Sequence, residues 1–197
     1  EWAVAEQIAD RDRVAIMGGS YGGYATLVGL TMTPDVFAAG VDIVGPSNLN
    51  TLLSTIPPYW EPIMNLFRTR VGDPDTPEGQ ALLTARSPLT YVDSIRKPLL
   101  IGQGANDPRV KQSESDQIVD AMTAKGIPVT YALFPDEGHG FARPENSLAF
   151  FAVSEVFLSE HLGGRHQWIA DGDFEGSTIQ VPAGAADIPG LEAAIPE

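Results

Sequence analysis

Apolar positions along the chain follow two rhythms. Val14-Ala15-Ile16-Met17-Gly18 is a short unbroken apolar run, as expected of a strand buried on both faces. The pattern returns over 37–45, at Pro98-Leu99-Leu100-Ile101-Gly102, and from Val129 to Phe134. Between these runs the spacing becomes helical. Residues 1–9 place Trp2, Ala5 and Ile8 on one face, and Tyr24, Leu27, Val28 and Met32 recur before a stop at Pro34. Ile118, Val119 and Met122 share a face of a helix that Ser113-Glu114-Ser115-Asp116 opens as a capping box and that Gly126 and Pro128 close. A short helix is predicted near 78–84, and a long amphipathic one from Pro144 to Leu162, stopped by Gly163-Gly164. The remainder of 46–92 is irregular, because the three prolines of Ile56-Pro57-Pro58-Tyr59-Trp60-Glu61-Pro62 break any regular element.

Strands alternating with helices predict an α/β fold: a mostly parallel sheet with helices on both faces. A chain of 197 residues is long enough for one domain with a sizeable core. The reading assigns residues 1–164 to that domain and 165–197 to a C-terminal tail, rich in Gly, Ala and Asp, that packs loosely. The chain opens on Glu1-Trp2-Ala3-Val4-Ala5-Glu6, without Met or a signal pattern, and reads as the middle of a helix. An N-terminal part is therefore expected to be missing, which leaves localisation, cytoplasmic or periplasmic, open.

Charge removes some partners. With 12 basic and 26 acidic side chains the net charge is −14, a surface that repels nucleic acid and anionic lipid. No apolar run approaches the ~18 residues of a membrane helix. The absence of cysteine excludes disulfides, thiol catalysis and thiolate metal sites.

In open parallel sheets, reactive side chains sit just beyond the carboxyl ends of strands. Three do so here: Ser20 after 14–18, Asp107 after 98–102, and His139 after 129–134. Their chain order, Ser, Asp, His, is that of the α/β-hydrolases. Gly18-Gly19-Ser20-Tyr21-Gly22 also matches G-x-S-x-G, the sharp strand-to-helix turn that presents a serine oxygen. Glycines are expected at 18 and 22 because strand and helix cross too closely for a Cβ. In this reading His139 is the general base, Asp107 fixes its tautomer, and the Tyr21 N–H faces the oxyanion. Taken singly, each residue has an ordinary alternative. The motif occurs by chance in loops, Asp107 fits a turn, and His139 fits a loop histidine. The other histidines, His161 at a helix end and His166 in the tail, lie away from the strand ends. Coincidence of three strand-end positions in the right order outweighs these readings.

Gly18-Gly19-Ser20-Tyr21-Gly22-Gly23-Tyr24, Asn106-Asp107-Pro108-Arg109-Val110 and Glu137-Gly138-His139-Gly140-Phe141 together resemble the catalytic domain of the prolyl oligopeptidase family of serine peptidases, in its acylaminoacyl and dipeptidyl peptidase branch. The resemblance runs over about residues 1–164. It implies an α/β-hydrolase fold beneath an N-terminal β-propeller, hydrolysis of short peptides, and no metal or cofactor. It implies substrate-facing roles for Tyr21, Arg109 and Val110, although Arg109 fits a structural ion pair equally well. The Pro57-Pro58-Tyr59-Trp60 insert borders the specificity pocket or is an apolar patch covered by another domain. By this resemblance the propeller, the first strands and the upstream oxyanion loop are missing. The chain is then expected to occur with that missing half, or to self-associate along the open flank of its sheet. An esterase or lipase of the same fold would share the triad; the Ser-Tyr-Gly-Gly-Tyr and Asn-Asp-Pro-Arg-Val forms favour a peptidase. A noncatalytic binding protein of this fold typically loses the nucleophile or the histidine, and all three residues are present.

Overall fold

The computed structural model describes residues 1–196. Strands β1 (Ala15–Gly19), β2 (Ala39–Ile43), β3 (Leu99–Gly104) and β4 (Thr130–Phe134) lie side by side in chain order and pair in parallel. A fifth strand, β5 (Gln180–Ala183), pairs antiparallel with β4. The helices are α1 (Trp2–Ala5), α2 (Tyr21–Met32), α3 (Leu49–Ser54), α4 (Met64–Arg70), α5 (Pro77–Arg86), α6 (Gln112–Ala124), α7 (Pro144–Leu162) and α8 (Leu191–Ala194).

The central strands β2 to β4 read as largely apolar runs because both faces of the sheet are covered there, and all six residues of β3 are buried. Alternate side chains then divide into two cores. On one face Val41, Leu100, Ala132 and Phe134 meet Phe150, Val153 and Phe157 of α7. On the other, Leu99, Ile101 and Tyr131 meet Leu27 and Leu30 of α2 and Ile118 and Met122 of α6. A smaller cluster, Leu49, Leu52, Leu53, Leu83 and Val110, holds the segment between β2 and β3 against the carboxyl edge of the sheet.

Three expectations need correction. The helix over 1–9 stops at Ala5, and none of its residues is buried. Gln7 takes a positive φ of 57°, and the N–H groups of Ile8 and Ala9 turn back to the Ala3 carbonyl. The capping box at 113–116 does not form: α6 begins at Gln112, with Lys111 at its N-cap and no side-chain cap. Glu114 turns instead toward the chain after β2. The tail is not loose. Ile169, Phe174, Ile179, Ile188, Leu191 and Ala194 belong to the same buried cluster as α7. Its Gly, Ala and Asp composition hid these few apolar residues, which recur without a helical or strand period. In the irregular insert, Pro58–Ile63 form a 3-10 helix and α4 follows, so the prolines shape short turns there rather than abolishing order.

Candidate active site

Ser20 links β1 to α2 with φ 58° and ψ −114°, a strained conformation for a residue with a side chain. Its N–H donates to the Ile43 carbonyl (2.8 Å) and its carbonyl accepts from Tyr24 N–H (3.0 Å), so both sides of the turn are tied down. A Cβ on Gly18 would lie 2.5 Å from the carbonyl carbon and oxygen of Gly22, which no side chain can occupy. The reverse constraint is absent, since a Cβ on Gly22 meets nothing within 4 Å. The second crowded glycine is Gly23, whose Cβ would strike the Asp42 carboxylate and the backbone of Gly45.

The three strand-end residues come together. His139 Nε2 lies 2.9 Å from Ser20 Oγ, and His139 Nδ1 lies 2.7 Å from Asp107 Oδ2. The Asp107 side chain is fully buried and that of His139 is 14 % exposed. A carboxylate oxygen can only accept, so Nδ1 carries the proton toward Asp107 and Nε2 is free to accept from the Ser20 hydroxyl. The other carboxylate oxygen, Oδ1, accepts from the backbone N–H groups of Arg109 (2.8 Å) and Val110 (2.9 Å). Asp107 is therefore fixed at both ends.

The residues beside the triad separate in kind. Tyr21 is 77 % exposed and opens α2, whose first N–H groups have no partner inside the helix. Arg109 is exposed and forms no ion pair among the described residues. Val110 departs from expectation. Its side chain is 3 % exposed and packs with Leu49, Leu52 and Leu83, so the site receives its N–H rather than its isopropyl group.

A cavity of about 360 Å³ opens beside Tyr21. Tyr24, Leu49, Leu52 and Phe67 form its apolar wall, and Arg70 and Arg86 stand among its lining residues. Trp60 of the proline-rich insert stacks on Phe67 (centroids 5.8 Å apart), so the insert supports this cavity.

Two buried carboxylates to which the sequence reading gave no role of their own shape the site. Glu114 Oε2 accepts from the N–H groups of Ser47 (3.1 Å) and Asn48 (2.9 Å), and Oε1 from the Thr51 hydroxyl, which fixes the chain just before the cavity wall. Burial raises its pKa. Glu137 Oε1 and Oε2 accept from Arg143 and Ala142 N–H, both at 2.8 Å, and so hold the loop that bears His139. A third, Asp42 on β2, is fully buried between Gly23 and Gly45 with both oxygens lacking a hydrogen-bond partner. Burial pushes its pKa up to about 7, against the opposing pull of the nearby Gly45 N–H. Among the described residues, no group of His, Asp and Glu side chains converges to hold a metal ion.

Comparison with known proteins finds peptidases. The chain is 67 % identical over 195 residues to dipeptidyl aminopeptidase BIII of Pseudoxanthomonas mexicana, covering 99 % of the chain and 28 % of that protein. It is 54 % identical over 180 residues to dipeptidyl peptidase family member 6 of Caenorhabditis elegans, covering 91 % of the chain and 24 % of that protein. Among solved structures, a puromycin-hydrolyzing peptidase of Mycobacterium tuberculosis superposes with a TM-score of 0.75 at 31 % identity, over 84 % of the chain and 24 % of its own length. The chain thus spans about a quarter of the length of these relatives. A sequence model of the prolyl oligopeptidase family matches residues 1–165, the stretch that holds β1 to β4 and all three strand-end residues, and the chain belongs to that family.

Proposed function

We propose that this chain carries the acyl-transfer centre of a serine peptidase acting on short peptides. The observation that supports it best is the continuous path Ser20 Oγ, His139 Nε2, His139 Nδ1, Asp107 Oδ2, built on a turn that strains Ser20. Names of the relatives, dipeptidyl aminopeptidase and dipeptidyl peptidase among them, support an amide rather than an ester substrate.

In this mechanism the Ser20 hydroxyl transfers its proton to His139 Nε2 as Oγ attacks the scissile carbonyl carbon. The carbonyl oxygen becomes an oxyanion at the N-terminus of α2, where the Tyr21 N–H and the helix dipole meet it. Asp107 stabilises the imidazolium by accepting its Nδ1–H at Oδ2, while the Arg109 and Val110 N–H groups hold the carboxylate by its other oxygen, Oδ1. His139 then protonates the departing amine, leaving an ester on Ser20. Water, deprotonated by Nε2, attacks this ester, and the second tetrahedral intermediate collapses to the carboxylic acid as His139 returns the proton to the departing Ser20 Oγ. The apolar cavity beside Tyr21 takes the side chain on the acyl side of the cleaved bond, and Arg109 at its exposed position contacts the peptide backbone or carboxylate.

The test uses the whole protein that carries this chain. Hydrolysis of aminoacyl nitroanilides together with fluorophosphonate labelling of Ser20 is the expected result. Turnover of nitrophenyl esters without any amide cleavage would make it an esterase, and no labelling at Ser20 would make it a noncatalytic member of the fold.

A further inference from the structure

We propose that residues 176–179 of the C-terminal segment are a positioning element for His139, acting through Asn146; this rests on the proton-transfer role proposed above for that histidine. The loop between β4 and α7 carries His139 between two glycines, and Gly140 has φ 112°. A histidine flanked by glycines gains little restraint from its own backbone. What holds the loop is Glu137, 3 % exposed. Its carboxylate gathers the Ala142 and Arg143 N–H groups, and its carbonyl accepts from Asn106 N–H (2.9 Å), next to Asp107.

Glu137 is in turn held by Asn146, which is fully buried. Asn146 Nδ2 donates to Glu137 Oε1 (2.9 Å) and to Asp136 Oδ1 (3.0 Å). Its Oδ1 accepts from Ser177 Oγ and from Thr178 N–H, both at 2.9 Å. Both donor hydrogens and both acceptor sites of the amide are used, half toward the histidine loop and half toward the C-terminal segment. Two outer contacts brace the same junction: Arg143 Nη2 donates to the Gly176 carbonyl (2.7 Å), and the Thr178 hydroxyl donates to Asp136. That hydroxyl, with the Arg143 guanidinium, lowers the Asp136 pKa to about 2. Phe174 and Ile179, 3 % and 2 % exposed, anchor the segment in the core on either side of the contact. Buried and fully satisfied networks of this kind hold one geometry. The family match ends at residue 165, so the segment making these contacts lies beyond it.

The test measures the rate of Ser20 phosphonylation by a fluorophosphonate against pH in the whole protein, with melting temperature recorded for each variant. The double variant Ser177→Ala, Thr178→Val and the variant Asn146→Ala are expected to slow labelling roughly 10- to 100-fold, as small misplacements of catalytic groups do, and to shift the midpoint of the pH profile. Ile188→Val, which thins the same core without touching Asn146, is expected to lower the melting temperature and leave rate and midpoint unchanged. Should Asn146→Ala fail to fold, the double variant carries the test, because it leaves the buried amide in place. Parental rate and midpoint in the double variant would overturn the proposal alone, as would an equal slowing in Ile188→Val. Labelling that survives Ser20→Ala, or that never occurs, would overturn the role of His139 and this proposal with it.

Discussion

Gly18 and Gly22 approach so closely that the position of a Cβ on Gly18 lies 2.5 Å from the Gly22 carbonyl carbon, while a Cβ on Gly22 has open space. The G-x-S-x-G motif is therefore asymmetric in this protein. Gly18→Ala must push β1 and α2 apart, since both partners are backbone. It is expected to cost about 1–3 kcal/mol, the range for forced overpacking, and to remove most peptidase activity. Gly22→Ala is expected to fold and to keep activity within a few-fold. Melting temperatures and amide hydrolysis of the pair, measured side by side, check the contrast; equal loss in both would refute it.

Ser20→Ala in the whole protein is expected to retain its fold and lose about a million-fold in kcat, as removal of such a nucleophile does. Steady-state hydrolysis of an aminoacyl nitroanilide by rigorously purified variant is the measurement. Residual activity above a tenth of the parent would move the nucleophile elsewhere.

Asp107→Asn tests the histidine tautomer. The Arg109 and Val110 N–H groups both point at Oδ1, so the amide oxygen must face them and the amide NH2 must face His139. His139 Nδ1 then becomes an acceptor, its proton moves to Nε2, and Nε2 can no longer take the Ser20 proton. A loss of about 10⁴ in kcat is expected at neutral pH. A kcat near that of the parent would exclude Asp107 as the orienting acid.

Asp42 gives stability a pH dependence. Its carboxyl titrates at about 7 in the folded protein. In the unfolded chain it titrates near the ordinary value of about 4. Between these values the unfolded chain has released a proton that the folded chain keeps, so unfolding is favoured as pH rises, by roughly 1.4 kcal/mol per unit. The effect levels off above pH 7, and Glu114, raised by its own burial, acts in the same direction. Asp42→Asn, neutral throughout, is expected to flatten the slope between pH 4 and 7. Denaturant titrations across that range check this; an unchanged slope would mean that Asp42 is ionised in the folded protein.

Phe174, 3 % exposed, lies in the segment that looked loose from composition. Phe174→Ala is expected to cost about 3–5 kcal/mol, the usual range for a buried aromatic, and to be visible as a large drop in melting temperature. A surface-like change of a few tenths would contradict the packing described here.

The four parallel strands, and the places of Ser20, Asp107 and His139 beyond their ends, were legible because each is written locally, whereas β5 was not. Val14–Gly18 and Pro98–Gly102 are uninterrupted apolar runs, and Ser20, Asp107 and His139 each stand just after one such run. What was hidden depends on distant partners. Ser113 and Asp116 have the letters of a capping box, yet the buried carboxylate between them, Glu114, serves Ser47, Asn48 and Thr51 more than 60 residues away. The family resemblance implied a substrate-facing Val110, but its side chain is buried in a cluster with Leu49 and Leu83. Phe174, Ile179 and Leu191 are single apolar residues in polar surroundings, and only the face of α7 that they fill gives them meaning.

The antiparallel strand β5 also settles how this sheet can grow. It is four residues long and contains Pro182, which has no N–H to offer a neighbouring strand. A short, proline-bearing edge is a poor template for pairing. On that side the ladder ends among the described residues, and a sixth strand would find few donors to meet it. At β1 the outer edge is unpaired among the described residues, and no proline interrupts Ala15-Ile16-Met17-Gly18-Gly19. Extension of the sheet therefore has a direction. It runs away from the C-terminal segment, along the strand whose last residue hands the chain to Ser20, so whatever pairs there also stiffens the strand that carries the nucleophile.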